Sequence, residues 1–448
     1  MRLHIILRYN GFVLLLNAAF LLLSALVSLI YRDGASYLLF YSSIITILFG
    51  LFLMVFVPAS TDISNKEGFM IVVSSWLLSC LVGILPYVLW GGEFTLSNAW
   101  FESVSGYTTT GSSILNNIES LPKGLLFWRS STHWIGGIGI LIFVLSVSPS
   151  MGRAGMILYR TEMSALAAEN FHYRTRQTLK VLLYIYVGFS TKNLSIAHYG
   201  SLGVEMVVML FMVLSGIHFG LLFGAITGKI ADLWHSPVVK YYVLSMLAGI
   251  AAISLYLYWI EGQGLGESLR YSAFQAISLG TSTGFSTTDT SQWPPFTQLI
   301  LIFFTLQCAC AGSTSGGIKV DRVVILWKAI AKRVKKIQHP SGIIRVKVNG
   351  ITMEEEVLEM NVLYISLYLG IVFLAALILT ALGLDILSSF SGAAATMGNV
   401  GPGFGLVGSM SNYSHIPEVG KWVLSATMLL GRLEVYGLVL FFMARWWR

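Results

Sequence analysis

The sequence predicts an all-α polytopic membrane protein, and three observations support this fold class. Of its 448 residues, 55% are hydrophobic and only 11% are charged, whereas soluble domains carry about 25% charged residues. Apolar runs of about 20 residues, long enough to cross a bilayer as a helix, recur along the whole chain. These runs are continuous rather than alternating, which is not the pattern of β-barrel strands. A chain this poor in charge needs membrane lipid around it.

Nine apolar segments are predicted to span the membrane, and the basic residues between them predict the orientation. The expected spans are 9–31, 36–58, 69–90, 124–148, 203–227, 237–260, 296–328, 356–382 and 418–444. Lys and Arg concentrate in alternate connections, most densely at 328–347. The positive-inside rule therefore predicts that these connections and both termini are cytoplasmic.

The basic cluster at 328–347 also bears on partners. It is expected to contact anionic lipid, and docking of a soluble subunit is a second interpretation. The net charge of +7 is explained by this topology, so no nucleic-acid partner is expected.

The connections on the opposite side share a repeated plan. Each begins with a semi-apolar stretch of helical length, continues with Gly, Thr and Ser, and lies between two spans; the segments are 91–123, 261–295 and 383–417. A short apolar helix between two spans is typical of a re-entrant loop. Irregular backbone at membrane depth is tolerated only when it is buried in protein or lines a water-filled cavity.

The repeated turns align with one another. "FESVSGYTTTGSS" (101–113) matches "FQAISLGTSTGFS" (274–286) without a gap, and "FSGAAATMGNVGPGFG" (390–405) keeps the same plan. The "VGFS" at 187–190 offers a fourth turn. The chain is therefore predicted to contain four pseudo-symmetric span–pore loop–span repeats around one pore, after a two-helix N-terminal leader.

The chemistry of such turns favours a monovalent cation. A short pore helix directs the negative end of its dipole into the membrane, and the following strand can replace an ion's hydration shell with carbonyl oxygens. No carboxylate lies in the turns, which argues for K⁺ or Na⁺ over Ca²⁺. Internal repeats can also build the midplane substrate site of a transporter. The residues predicted to form the filter are Thr109, Thr110, Gly111, Val187, Gly188, Thr283, Gly284, Val400 and Gly401.

The motifs resemble those of the Trk/Ktr/HKT superfamily, closest to its TrkH type, over nearly the whole chain. They are "GYTTTGSS" (106–113), "HWIGGIGI" (133–140), "TSTGFSTTD" (281–289), "CAGSTSGGIKVDR" (310–322), "NVGPGFG" (399–405) and "LLGRLE" (429–434). The resemblance implies a K⁺ pore of the bacterial inner membrane, assembled as a homodimer, with K⁺ as the transported ion and no organic cofactor. It also implies a cytosolic nucleotide-binding regulatory subunit, TrkA-like, that forms a ring beneath the dimer.

A gate is predicted in the span 296–328, where "CAGSTSGGIK" (310–319) interrupts the apolar run. Its glycines and hydroxyls predict an unwound loop beneath the filter, although Gly312 and Gly316 also have the spacing of a helix-packing motif. The resemblance implies an intramembrane loop that obstructs the pore. The predicted gate residues are Gly312, Ser313, Thr314, Ser315, Gly316, Gly317, Lys319 and Arg432.

Arg432 is included because it lies inside an apolar run, where a cation costs about 2.5–3.5 kcal/mol on insertion scales. We expect it to latch the loop 310–319, and snorkelling to the cytoplasmic face is the alternative. Lys319 is expected either to mark the start of the lower half-helix near the inner interface or to take part in gating.

The second repeat is predicted to be truncated. Between the basic linker that ends at Lys180 and the turn at Gly188, only "VLLYIYV" remains. Seven helical residues rise about 10 Å, against a hydrocarbon core of about 30 Å. About 35 residues, one span and a pore helix, are therefore expected to be missing. The segment 179–190 is predicted either to make a strained crossing of the membrane or to stay at the inner face, in which case the repeat is misassembled.

These predictions divide the chain into units and define the functional alternatives. The units are the leader 1–60, repeat 1 at 69–150, truncated repeat 2 at 175–228, repeat 3 at 236–330, a basic linker 331–355 and repeat 4 at 356–448. The main functional prediction is K⁺ uptake, impaired by the truncation and either passive or coupled to H⁺ or Na⁺. The alternatives are a non-conducting docking platform for a regulatory subunit and an intramembrane serine protease using Ser315.

Overall fold

The computed structural model describes residues 2–58, 64–147, 192–226, 228, 230–313, 315–339, 344–348 and 351–435. The helices in these ranges are α1 Leu3–Tyr31, α2 Ser36–Phe56, α3 Asn65–Gly83, α4 Leu85–Trp90, α5 Leu96–Tyr107, α6 Lys123–Val147, α7 Leu202–Ser215, α8 Phe219–Ile226, α9 Ile230–His235, α10 Pro237–Trp259, α11 Leu265–Gly280, α12 Pro295–Leu306, α13 Val320–Gln338, α14 Glu355–Ala381, α15 Ile386–Met397 and α16 Glu418–Arg432. Two short strands, β1 Lys347–Val348 and β2 Ile351–Thr352, pair antiparallel.

The all-α membrane fold predicted from the sequence is confirmed. Within the described residues, five helical segments are long and apolar enough to cross a membrane, or six if one bent pair is counted as a single span. Three of the six, α1, α2 and the segment formed by α3 with α4, lie at the N-terminal end. The first two pack along each other, with Gly11 so close to α2 that an added Cβ would lie 2.9 Å from the Gly50 carbonyl oxygen.

Three units share one order of elements. A span is followed by a short helix, an extended turn and a second helix; the sets are α3–α4 with α5 and α6, α10 with α11 and α12, and α14 with α15 and α16. The short helices α5 and α15 start at side-chain caps, Thr95 and Asp385. This order agrees with the plan that the sequence predicts for repeats 1, 3 and 4.

One predicted span is wrong as a single helix. The segment 203–227 forms α7 and α8, which meet at an angle of 105°. At the break, the Gly216 carbonyl accepts a hydrogen bond from the Cys310 amide at 3.0 Å. An added Cβ at Gly216 would lie 2.3 Å from the Tyr242 hydroxyl, so the backbone packs there against α10. This tertiary bond withdraws the carbonyl from the helical ladder.

Two further predicted spans differ in extent. The interruption of 296–328 is confirmed, but it covers 307–319, and α13 continues to Gln338 through the basic cluster. In the predicted span 418–444, α16 ends at Arg432, and Glu434 has a positive φ of 45°. Residues 436–448 lie outside the described residues.

Candidate functional site

The three described turns have the same backbone conformation. In each, a non-glycine residue of positive φ precedes a glycine of positive φ by two positions. The pairs are Thr109 (58°) with Gly111 (86°), Ser282 (51°) with Gly284 (76°), and Asn399 (52°) with Gly401 (104°). Left-handed conformations favour glycine because other residues pay a steric cost there. The glycines predicted from the sequence are therefore the residues on which each turn depends.

Each turn is held by the short helix that precedes it. The amide before the glycine donates to a carbonyl in the last turn of that helix; the bonds are Thr110 to Ser105, Thr283 to Ser278 and Val400 to Ala395, each 2.9 Å. In two repeats the hydroxyl of the same helical serine donates to the carbonyl after the glycine, at 2.6 Å in each case. The helix and the turn therefore act as one unit.

Neighbouring turns lie in direct contact. A Cβ built on Gly284 would lie 2.0 Å from the Val400 carbonyl oxygen, and one built on Gly401 would lie 2.6 Å from the Thr110 carbonyl oxygen. The Ser112 hydroxyl also donates to the Gly401 carbonyl at 2.9 Å. The third turn therefore lies beside the fourth, and the fourth beside the first.

The segments that follow the turns form a closed rim, which consists of 112–120, 192–200, 285–293 and 404–416. Hydrogen bonds join them in cyclic order: Ile118 N to Asn193 Oδ1 at 2.7 Å, Ala197 N to Ser286 O at 3.1 Å, Thr290 N to Ser409 Oγ at 3.2 Å, and Tyr413 N to Ser113 O at 2.8 Å. The segment 192–200 thus lies between the segments that follow the first and third turns.

This rim bears on the second repeat. Residues 192–200 lie beside the segments that follow the other turns. The segment 179–190, for which a strained crossing and a position at the inner face are the alternatives, lies outside the described residues. Val187 and Gly188, predicted as filter residues, lie outside the described residues.

A cavity of about 170 Å³ lies between the three described turns. Six predicted filter residues line it: Thr109, Gly111, Thr283, Gly284, Val400 and Gly401. Thr110 is buried, and its hydroxyl bonds to the Thr108 hydroxyl at 2.7 Å and to the Asn399 amide at 2.9 Å. Backbone carbonyls and hydroxyls around a small polar cavity can coordinate a dehydrated monovalent cation.

The predicted gate loop forms a compact structure between α12 and α13. Cys308 N donates to Ile318 O at 3.1 Å, and Ile318 N donates to Leu306 O at 3.1 Å, so the loop returns alongside its own start. Gly312 and Gly317 have φ values of 73° and 70°. The positive φ values allow the chain to reverse direction at these two glycines, whereas a helix-packing motif would keep them in a helix.

The loop lies directly against the turns. Gly316 N donates to the Ser282 hydroxyl at 3.3 Å, and an added Cβ at Gly316 would lie 2.5 Å from the Gly398 carbonyl oxygen. Lys319 is buried, and its ammonium group donates to the Ser315 carbonyl and, at 3.3 Å, to the Ser315 hydroxyl. Lys319 is therefore bonded within the loop and not exposed to solvent, and its part in gating stays a prediction.

The remaining loop residues are held within the loop or fall outside the description. The Ser313 hydroxyl bonds to the Ser315 hydroxyl at 2.8 Å and donates to the Cys310 carbonyl at 2.6 Å. Thr314 lies outside the described residues.

Arg432 contacts the helix α6. Its guanidinium donates to the Gly136 carbonyl on α6 at 3.0 Å and lies 5.8 Å from the Trp76 ring centroid. The sequence argument did not foresee the contact with α6, and the latch on loop 310–319 stays a prediction. Glu434 forms an ion pair with Arg322, whose guanidinium lies 3.8 Å from the Tyr364 ring centroid.

Sequence reasoning missed a buried ion pair behind the first turn. Glu102 on α5 and Arg129 on α6 are 0% and 2% exposed and form a salt bridge. The available signal was an acid inside a pore helix and a single arginine in the apolar run of the next helix. Glu102 lies in the repeated motif, where the third repeat has Gln275, and Arg129 lies outside it.

Comparison with known proteins identifies the family. A family model described as TrkH, cation transport protein, matches residues 36–188 and 186–447. The Trk system potassium uptake proteins TrkH of Salmonella typhimurium and Escherichia coli are 32% and 31% identical over 480 residues, covering 98% of this chain and 98% of each relative. The crystal structure of the potassium transporter TrkH from Vibrio parahaemolyticus superposes with a TM-score of 0.84 at 29% identity, covering 100% of both chains.

Two details of these matches concern the second repeat. The two pieces of the family match overlap at residues 186–188, at the start of the predicted turn. The alignments with the enterobacterial relatives extend over 480 positions, whereas this chain has 448 residues. A family model that matches most of the length, and relatives at 31–32% identity over 98% of it, show that the chain belongs to the TrkH family of cation transport proteins.

Proposed function

We propose that the chain is the ion-translocating subunit of a Trk-type K⁺ uptake system in a bacterial inner membrane, with N- and C-termini in the cytoplasm. The observation that carries this proposal is the set of matched turns: Gly284 contacts Val400, Gly401 contacts Thr110, and Gly284, Val400 and Gly401 line one cavity. The names of the relatives, potassium uptake proteins, agree with it. K⁺ would be coordinated by backbone carbonyls of four turns, the second of which contains Val187 and Gly188.

The loop 310–319 is proposed as the gate. This is supported by the contact of Gly316 with the third and fourth turns and by the buried ammonium group of Lys319. A cation held below the turns opposes K⁺ electrostatically, because like charges in a region of low dielectric repel strongly. Movement of the loop with its lysine would then open the path, and Arg432 would stabilise the closed arrangement.

Transport by this chain is proposed to be impaired. The support is the overlap of the two family matches at 186–188 and the excess length of the relatives' alignments. A turn without its pore helix lacks the amide-to-carbonyl bonds that hold the other three. The carbonyl rings formed by the four turns would then lose one quadrant.

The function is tested in a bacterium that lacks K⁺ uptake, by growth at low K⁺ and by ⁸⁶Rb⁺ influx. We compare the chain as it stands with a repaired chain that receives the missing segment of the Escherichia coli relative between Val187 and Gly188. The repaired chain is expected to transport and the original to fail. Rescue by the original chain would refute the impairment, whereas a folded repaired chain without influx would refute the K⁺ pore.

A docking platform remains the second candidate function. It is favoured by the basic C-terminal part of α13, where Arg333, Lys335 and Lys336 are exposed. Two half-buried lysines of the same helix are bonded within the chain: Lys328 donates to the Lys347 carbonyl at 2.6 Å, and Lys332 pairs with Glu355. The proposed partners are a second copy of the chain and a cytosolic nucleotide-binding, TrkA-like subunit. Co-purification with that subunit, combined with absent influx, would select the platform.

The enzyme alternative is not retained, because the family transports cations. The Ser315 hydroxyl of the protease hypothesis bonds to Ser313 and Lys319, and both contacts belong to the loop.

The region at 1–60 is proposed as a leader, and 69–150, 175–228, 236–330 and 356–448 as the four repeats, with 331–355 as the linker.

A further inference from the structure

The backbone just after each described turn is held by a side chain of the pore helix. The amide concerned is always the third after the turn glycine, and its acceptor differs between repeats. Ile114 N donates to Glu102 Oε2 at 3.1 Å, Thr287 N to the Gln275 side-chain oxygen at 3.1 Å in the amide orientation that satisfies both ends, and Phe404 N to Ser391 Oγ at 2.8 Å. The position is shared, but the chemistry is not.

Only the first of these three braces is charged. Glu102 is completely buried and also accepts a hydrogen bond from the Ser113 hydroxyl at 3.1 Å. A buried carboxylate needs a counter-ion, because desolvating an isolated charge is very unfavourable. Arg129 supplies it through a salt bridge to the opposite oxygen of the carboxylate.

Arg129 stands at a position that is apolar in the other repeats. It is the seventh residue of α6, and the seventh residues of α12 and α16 are Leu301 and Leu424, both fully buried. The register is supported by Gly136 and Gly431, two residues at matched positions. Added Cβ atoms there would lie 1.9 and 2.1 Å from the last carbonyls of the corresponding pore helices. Arg129 is therefore an addition to the first repeat.

We propose that Glu102 and Arg129 are a positioning pair for the first turn. Glu102 holds the backbone that leaves Gly111, and Arg129 cancels the charge of Glu102. Arg129 lines the same cavity as Thr109 and Gly111, so the neutrality of the pair also matters for a cation there. That second part rests on the proposed K⁺ function. An unpaired Arg129 would repel K⁺ from the first turn.

The third repeat provides the template for the test. Glu102→Gln with Arg129→Leu copies the combination of Gln275 and Leu301, which keeps an acceptor and removes both charges. Glu102→Gln alone keeps the acceptor but leaves a buried cation, and Glu102→Ala with Arg129→Leu is neutral but has no acceptor. Glu119→Gln, at a rim carboxylate paired with Lys192, is the matched control.

Hydrogen–deuterium exchange of the segment 111–116 is measured on the purified full chain without K⁺. Glu102→Gln and Glu102→Ala/Arg129→Leu are expected to exchange at least about tenfold faster than the wild type, because a buried hydrogen bond to a charged group is lost or strained. Glu102→Gln/Arg129→Leu and Glu119→Gln are expected to stay within about threefold. If the first variant does not fold, the folded Gln/Leu variant still supports the pair.

A K⁺ titration of the unfolding temperature then tests the charge. Glu102→Gln is expected to weaken K⁺ binding by about tenfold, which is the effect of one unit charge about 10 Å away at an effective dielectric constant of about 20. Glu102→Gln/Arg129→Leu is expected to restore the wild-type affinity for K⁺. The proposed positioning pair is refuted if the segment 111–116 exchanges at the same rate in Glu102→Gln and Glu119→Gln. It is also refuted if the exchange rate and K⁺ affinity of Glu102→Gln/Arg129→Leu are no closer to the wild-type values than those of Glu102→Gln. If the wild type is insensitive to K⁺, the titration is repeated in the chain repaired in its second repeat; insensitivity of that chain would refute the proposed function, and the exchange data would still decide the brace.

Discussion

Gly284→Ala tests whether the turns depend on contact with one another. Gly284 has a φ of 76°, and its added Cβ would lie 2.0 Å from the Val400 carbonyl oxygen. Gly262, between α10 and α11, is the matched control. Its φ is 69°, and no atom lies within 4 Å of an added Cβ. The two substitutions therefore share the backbone strain and differ in the clash.

The magnitudes follow from these two geometries. The left-handed conformation costs a non-glycine residue about 1–2 kcal/mol, and this applies to both variants. A Cβ contact under 3.0 Å forces a shift, so the Val400 carbonyl must move by about 1 Å. Val400 N is itself bonded to Ala395 O, and overpacking of this kind costs about 1–3 kcal/mol. Gly284→Ala is thus expected to lose about 2–5 kcal/mol of unfolding free energy, and Gly262→Ala about 1–2 kcal/mol.

The assay is equilibrium unfolding of the purified chain in mixed micelles, followed by circular dichroism. K⁺-free buffer is used so that the comparison does not depend on ion binding. Equal losses for the two variants would show that the Val400 carbonyl is not tightly packed against Gly284, and the direct contact between the third and fourth turns would be wrong.

Two other predictions concern helix contacts outside the turns. Gly136→Ala on α6 should lower the unfolding free energy by about 1–3 kcal/mol, because its Cβ would lie 1.9 Å from a backbone oxygen at the end of α5. The control Gly370→Ala on α14, whose Cβ would have no atom within 4 Å, should be neutral or stabilising. Equal effects of the two substitutions on unfolding in mixed micelles would contradict the tight packing at Gly136. Burial alone would raise the pKa of Asp33, but hydrogen bonds from Ser28, Gly124 and neighbouring amides outweigh it and lower the pKa below 3.8. The carboxylate therefore stabilises the fold above about pH 4, and this stabilisation is lost as the pH falls through its folded-state pKa. Between pH 6 and pH 3, the unfolding temperature should fall less in Asp33→Asn than in the wild type. Parallel curves of unfolding temperature against pH would contradict this prediction.

The repeated features were accessible to sequence reasoning because they are local. A span needs about 20 consecutive apolar residues, and a turn of positive φ needs glycine at one position. Gly111, Gly284 and Gly401 could therefore be found by alignment within the chain. The interruption of the span 296–328 was visible for the same reason, through its glycines.

The contacts between distant segments could not be read in this way. Gly284 meets Val400 across 116 positions, and Arg432 donates to Gly136 across 296. The break at Gly216 has a similar origin, because its carbonyl bonds to the Cys310 amide. Such pairings depend on how helices pack, and the hydropathy of either partner contains no information about the other.

Glu102 and Arg129 show the same division within the site. An acid and an arginine in apolar helices are costly on their own, so each residue signals a partner that its neighbours in the chain do not supply. Composition and periodicity settle the membrane fold, the three described turns and the loop, because those properties depend on short stretches of chain. The packing of α5 against α6 settles that these two charges neutralise each other behind the first turn, because a salt bridge needs both groups within a few ångströms.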